Sequence, residues 1–279
     1  MNIDFVIPVR HPSMVKDKGL QLDIMAQTFA SLAAQTADGW SAIVVANKGD
    51  VLPELPLGFR VEWVDYPPAA GYDDVDSLND YYAAVRQDKG RRVLAAARTI
   101  DPRDYMMVVD DDDLLSNRLV DFVRRQPERN GWVINLGYAW VAEQNMLRKV
   151  NDFHTSCGTS LIIRADFFRF AEQTPGEEDD AAIEELGSHK IVVKRASAAG
   201  TPFEFIPFPA GIYRYNHPNA TQREIKERGL KSRWAILGPL RRIARRMRRN
   251  LRGSPAPTQS GSVPITQEIR EEFFGRPGG

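Results

Sequence analysis

Apolar positions come in short blocks separated by polar ones along the 279 residues. Asp4-Phe5-Val6-Ile7-Pro8-Val9-Arg10 is an apolar run closed by proline and charge, which predicts a buried strand. From Leu20 to Gln35, Ile24, Phe29, Leu32 and Ala33 recur at helical spacing. Ser41 to Ala46 predicts a second strand, ended by the turn residues Asn47-Lys48-Gly49-Asp50. Arg60 to Asp65 alternates as a third strand, and Leu78 to Arg98 holds one or two helices. Tyr105-Met106-Met107-Val108-Val109 predicts a fourth strand that runs straight into Asp110-Asp111-Asp112-Asp113. A helical stripe follows at Leu119, Val120, Phe122 and Val123. Later strands are expected at Trp132 to Asn135 and Ser160 to Ile163, a helix at Ala181 to Val193, and an irregular stretch at Thr201 to Gln222.

This alternation predicts an α/β fold with a Rossmann-like, mainly parallel sheet flanked by helices. Ligands bind beyond the carboxyl ends of such strands, where the pattern places Pro8, Val9, Arg10, Asn47 and the aspartates. The expected organisation is a ligand-binding half over 1–125, a mixed half over 126–222, a basic helical extension over 223–252, and a linker with a short C-terminal helix over 253–279.

Composition adds limits. With 43% hydrophobic and 27% charged residues the chain can bury a core without staples. A single cysteine, Cys157, excludes an internal disulfide framework and a cysteine-rich zinc domain. No apolar run approaches the ~20 residues that span a bilayer, and the N-terminus lacks a secretory pattern; the expected location is the cytoplasm. Acidic and basic residues balance overall, yet Arg223 to Arg252 carries twelve Lys/Arg against two Glu. Leu240, Ile243, Ala244, Met247 and Leu251 keep helical spacing among those arginines. The segment 231–252 is therefore expected to dock on anionic lipid at the inner membrane face, or on the acidic body or a homodimer partner. No nucleic acid is expected, because no aromatic platform accompanies the arginines.

Four adjacent carboxylates repel one another unless something neutralises them. An acidic run is either a solvated loop or a cation site. Delivery by a buried strand to a sheet edge favours the site, and carboxylate oxygens suit Mg²⁺ or Mn²⁺.

The segment Tyr105 to Leu115 resembles the DxD segment of GT-A glycosyltransferases, especially family 2. Phe5 to Val9, the Gln27–Gln35 stretch followed by Trp40 to Val45, Ser156-Cys157-Gly158-Thr159-Ser160, and Tyr213-Arg214-Tyr215-Asn216-His217-Pro218-Asn219-Ala220-Thr221 resemble further family segments in the same order. The resemblance implies a GT-A fold and a nucleotide-sugar donor such as a UDP- or GDP-sugar. It implies that Asp112, with Asp110, binds the metal bridging the diphosphate, and that Asp110 and Asp111 hold the ribose or assist the metal. Pro8, Val9 and Arg10 would line base and ribose, and Arg91 or Arg92 would lie near the phosphates. Many relatives read uracil with an aspartate ending the second strand. Here Ala46-Asn47 stands there, so Asn47 or Asp65 is the substitute. The QxxRW motif of processive synthases is absent, which favours a single transfer.

An inverting transfer needs a carboxylate base. Glu177-Glu178-Asp179-Asp180 opens a helix and resembles the family's ED..L pattern; Asp180 is the expected base and Asp179 the alternative. His217 is expected to complete the metal site. Cys157 reads as a small buried residue. The expected activity is transfer of one sugar to a hydroxyl of a glycan or lipid-linked acceptor. The competing expectations are a nucleotidyltransferase, an Asp-dependent phosphohydrolase, or a non-catalytic metal-binding protein of the membrane surface.

Overall fold

A computed structural model describes residues 1–69, 77–141, 144–168, 180–227 and 261–275. Strands β1 (Ile3–Pro8), β2 (Trp40–Asn47), β3 (Phe59–Val64) and β4 (Tyr105–Val108) form the parallel heart of a seven-stranded sheet. It is completed by β6 (Gly131–Ile134), β9 (Leu161–Arg164) and β10 (Glu204–Ile206), in the order β10-β6-β9-β4-β1-β2-β3, with β9 antiparallel to both neighbours.

The central strands β1, β2 and β4 are mostly apolar because both faces are covered, whereas the edge strand β3 exposes Arg60 and Trp63. Phe5, Ile7, Val44 and Met107 pack with Met25, Phe29 and Leu32 of α1 (Lys18–Ala33) and with Leu119, Val120 and Val123 of α3 (Leu119–Arg124). Val6, Ile43, Val45 and Met106 face the other way. They meet Val93 and Leu94 of α2 (Leu78–Ala97), Ile183 and Leu186 of α4 (Asp180–Leu186), and Val192 of α5 (His189–Ala198). Caps set the helix starts: Asp17 accepts from the Leu20 N–H at 2.9 Å, and Ser77 from the Asp80 N–H at 3.2 Å.

A second sheet holds β5 (Leu114–Leu115), β7 (Leu136–Val141), β8 (Met146–Asn151), β11 (Gly211–Tyr215) and β12 (Ser262–Pro264), in the order β12-β8-β7-β11-β5. Helix α6 (Thr221–Glu227) follows β11, and α7 (Gln267–Phe273) follows β12. Phe273 and Phe274 stack edge-on against Tyr138 and Trp140 of β7.

Leu78 to Arg98, expected as one or two helices, is one. Two other expectations change. Ala181 to Val193 is two, parted at Gly187-Ser188. The stretch 201–222 contains β10, β11 and the start of α6. The C-terminal segment holds the expected short helix, α7, preceded by β12, which joins the second sheet; residues 253–260 lie outside the described residues. Both sheets draw on residues on either side of 125: β5 joins the second, and β6, β9 and β10 join the first. The basic segment 231–252 and Asp179 lie outside the described residues. Among the described residues no helix is long and apolar enough to cross a membrane.

Candidate active site

A cleft of about 880 Å³ opens at the carboxyl ends of β1 and β4. One wall is a face of α2 carrying Val85, Asp88, Lys89 and Arg92; Pro8, Arg10 and Asp110 to Asp112 line it as well. The four aspartates, adjacent in sequence, fall into four different surroundings because the chain turns sharply between β4 and β5.

Asp110 is pinned. Its N–H donates to Thr159 Oγ1 at 2.9 Å, and its carboxylate receives the ammonium of Lys89. Burial would lower the Lys89 pKa, but the charge of and bond to Asp110 prevail and raise it, so this cation stays charged. Gly158 makes room for the pair: a Cβ there would stand 2.9 Å from Lys89 Nζ and 3.0 Å from Asp110 Oδ2. Asp111 accepts from Gln21 Nε2 at 3.2 Å. Burial and the charge of Asp112 push its pKa up to about 6.

Asp112 Oδ2 lies 2.9 Å from Nε2 of His217, which is buried. Burial opposes ionisation of Asp112, but the bond to His217 and the charges of Arg10 and Arg214 outweigh it and hold the carboxyl below its usual value. Asp113 turns into the core, where it accepts from Cys157 Sγ at 3.1 Å and from the Arg214 N–H at 3.2 Å. Burial, then the charges of Asp112 and Asp110, raise its pKa well above the ordinary aspartate value. The Cys157 thiol is likewise pushed up by burial and by Asp113, so it stays protonated and unreactive.

Among the described residues no three His, Cys, Asp or Glu side chains converge as a cation cage. Asp112 and His217 nevertheless offer an edge of one oxygen and one nitrogen at 2.9 Å. Neighbouring ligands of an octahedral Mg²⁺ with ~2.1 Å bonds stand roughly 3 Å apart, and such ions take only one or two protein groups when phosphates complete the shell. The pair fits Mg²⁺ or Mn²⁺ on that basis. Asp110, expected as a further ligand, is paired with Lys89 through Oδ1.

The other expected residues divide. Pro8 and Arg10 line the cleft, with Arg10 Nη2 3.5 Å from Thr221 Oγ1. Val9 does not: its side chain is fully buried among the core residues under α1. Arg92 is also buried. It donates to both oxygens of Asp88 at 2.9 and 3.1 Å and to Asn47 Oδ1 at 2.7 Å, while Asn47 Nδ2 donates to the Tyr66 carbonyl at 2.6 Å. Arg92 and Asn47 thus brace the cleft floor. Arg91 lies over the Tyr66 ring at 5.3 Å. Asp65 is exposed beyond β3 and is not among the lining residues. Asp180 is exposed at the start of α4 and lines a separate depression with Asp80, Arg86 and Gln87.

Sequence reasoning missed Asp88, Lys89, Met14 and Ala69, all of which line the cleft. The available signal was the i, i+3, i+4, i+7 stripe of Val85, Asp88, Lys89 and Arg92 on one helix face.

No family model matches the sequence, and no curated protein matches it. Solved structures with a similar course of the chain include TarS of S. aureus, residues 1–349, at a TM-score of 0.45 and 11% identity, covering 77% of this chain and 60% of that one. Another is 2-C-methyl-D-erythritol 4-phosphate cytidylyltransferase (IspD) of Francisella tularensis, at 0.39 and 9%, covering 82% and 99%. The apo form of the glycosyltransferase GlyE of Streptococcus pneumoniae gives 0.36 and 8%, covering 88% and 64%. The chain spans 60% of the TarS fragment, and all three likenesses are of backbone alone.

Proposed function

We propose that the chain is a divalent-metal-dependent glycosyltransferase that moves one sugar from a nucleotide diphosphate sugar to a hydroxyl of a glycan or lipid-linked acceptor. The observation that carries this reading is the cleft, lined by the carboxylates of Asp110, Asp111 and Asp112 together with Arg10 and Lys89, with His217 2.9 Å from Asp112 in an adjoining pocket that Arg10 also lines. A diphosphate needs this mixture of cations and cation ligands. Asp112 and His217 would hold the metal, which when bound offsets charge on the departing diphosphate. Arg10 and Lys89 stand where they would meet the phosphate oxygens.

The acceptor hydroxyl must lose a proton as it attacks the anomeric carbon. Asp180 serves as that base only if the acceptor enters through the depression between α2 and α4, since it does not line the cleft. An Asp180→Asn protein that still hydrolyses donor slowly but transfers no sugar would support that route, whereas unchanged transfer would remove Asp180 from the reaction.

The test of the whole reading is donor hydrolysis. Slow Mn²⁺-dependent release of UDP or GDP from a nucleotide sugar is expected, and loss of that release in Asp112→Ala. Release of pyrophosphate from a nucleoside triphosphate, with no release from nucleotide sugars, would transfer the assignment to a nucleotidyltransferase.

A further inference from the structure

A strand at the end of a sheet leaves a row of backbone groups without a neighbour, and a long, flat one is a template for another chain. Among the described residues the two sheets end in four strands. Three are short: β5 has two residues, and β10 and β12 have three each. The fourth, β3, has six. Its register with β2 runs unbroken from Ala42 opposite Phe59 to Asn47 opposite Val64, and no proline interrupts it. Trp63 on this strand is 44% exposed, and the loop leading into it exposes Val51 and Leu57.

The backbone fixes which groups are left over. The Gly58 carbonyl receives the Ala42 N–H at 3.0 Å, and the Val64 carbonyl receives the Lys48 N–H at 2.9 Å. Alternate residues of a strand bond the same neighbour, so Arg60 and Glu62, which lie between, also bond β2. The N–H and C=O of Phe59, Val61 and Trp63 then point away from the sheet. Side chains follow the same period. Phe59 and Val61 pack on the α1 side, and Val64 on the α2 side. Arg60 shares that second face with Glu62 at 3.6 Å and bonds Thr99 at the end of α2.

A second copy of β3 extends the sheet through a two-fold axis, which makes the two strands antiparallel. Outward groups must meet outward groups, so the axis passes through a residue rather than between two. Placed at Arg60 or at Glu62, it sets that charge opposite itself, and like charges directly opposite destabilise a pair. Placed at Phe59 or Trp63, it leaves most of the strand unpaired. Placed at Val61, it sets Arg60 of each copy opposite Glu62 of the other, Phe59 opposite Trp63, and Val61 opposite itself. The Arg60–Glu62 pairs then fall at non-hydrogen-bonded positions, where Cα atoms stand ~4.5 Å apart and side chains are closest.

We propose that the chain is a homodimer in which β3 pairs antiparallel with β3 of a second copy about an axis at Val61, joining the two seven-stranded sheets into one. Opposite charges on one face and aromatic pairs on the other hold the register. The inference is independent of the reaction proposed above, since no residue of β3 is among those lining the cleft.

The experiment is sedimentation equilibrium of the full chain. Twice the chain mass is expected at micromolar loading, and a monomer at every loading overturns the inference. Arg60→Glu and Glu62→Arg each set like charges opposite one another, so each alone should dissociate about tenfold more readily. Mixed in equal amounts, the two variants bring opposite charges together again and should form a dimer with one chain of each. A dimer that neither substitution weakens, or a mixture as weak as its parts, overturns the inference. Val61→Cys tests the register without touching the charges. A hydrogen-bonded antiparallel pair holds its Cα atoms ~5.5 Å apart, within the ~4.4–6.8 Å that a disulfide spans. This variant treated with diamide should form a covalent dimer, whereas the parent, whose Cys157 is buried, should not. A Val61→Cys chain that dimerises yet forms no cross-link rules out this pairing.

Discussion

His189, at the first position of α5, shows how one side chain sets a limit for the fold. Burial, then the charges of Lys89 and Lys190, depress its pKa to about 3. In the unfolded chain it titrates near 6.5, so between those values the unfolded state binds more protons and stability falls as pH drops below 6.5. The slope is roughly 1.4 kcal/mol per pH unit for one such group. Replacing His189 by Gln should flatten the acid limb between pH 6.5 and 5, read as urea midpoints at each pH. An unchanged limb would show that His189 does not set it. Gly158 bears on activity instead. An alanine Cβ there meets side-chain ends and no backbone: Lys89 Nζ at 2.9 Å, Asp110 Oδ2 at 3.0 Å and His189 Nδ1 at 3.8 Å. Gly158→Ala should melt near the parent temperature while donor hydrolysis falls tenfold or more; parent-like hydrolysis would remove the Lys89–Asp110 pair from the site. The sequence marked Gly158 as part of a small-residue segment. Lys89 was invisible, because a lone helix lysine looks like a surface cation until the fold brings Asp110 to it.

At the scale of elements, α2 is the ruler of the molecule. Its cleft face holds Asp88, Lys89 and Arg92, and its other side lies so close to α4 that two glycines are required. A Cβ on Gly90 would be 1.9 Å from the Ile183 carbonyl oxygen, and one on Gly187 would be 2.1 Å from the Arg86 carbonyl oxygen. Both obstacles are backbone, so the helices themselves must part. Overpacking of this kind costs about 1–3 kcal/mol. Gly90→Ala should lose that much in urea titration, whereas Gly19→Ala on α1, whose Cβ meets only Asp17 Oδ1 at 3.6 Å, should not. Equal losses in the two would refute the close-packing argument. Arg92→Met tests the floor: it strands the buried Asp88 carboxylate, and removing one partner of a buried pair costs about 3–5 kcal/mol. Chemical denaturation showing less than 1 kcal/mol would mean that the network is not structural. The long strands and α1 were legible because Phe5, Ile7, Val44 and Phe29 keep a clean period. The break between α4 and α5 was not, because Ala182, Leu186 and Val193 keep helical spacing across Gly187-Ser188.

At the scale of the whole molecule the two sheets are interleaved in sequence, and this hid the second one. Strand β5 has two residues, β12 has three, and β8 is mostly exposed polar side chains, so none carries a period long enough to read. The C-terminal segment joins them at a distance. Ile265 and Phe273 bury themselves against Leu114, Leu147 and Ile212. Glu272 accepts from Ser116 Oγ at 2.5 Å and from Arg118 Nε at 2.9 Å, just past the aspartates, and its carbonyl receives the Asn117 N–H at 3.0 Å. Fully burying side chains of this size contributes about 1.5–3 kcal/mol each. A chain ending at Ser260 should therefore lose at least about 3 kcal/mol and bind a hydrophobic dye; a parent-like melt with no dye binding would refute the role of this segment.

That brace has a consequence during synthesis. The turn bearing the aspartates leaves the ribosome more than a hundred and fifty residues before Glu272 does, and until then Ser116 and Arg118 lack the carboxylate that joins them on its far side. A nascent polypeptide would thus carry an acidic loop short of one of its clasps until Glu272 emerges.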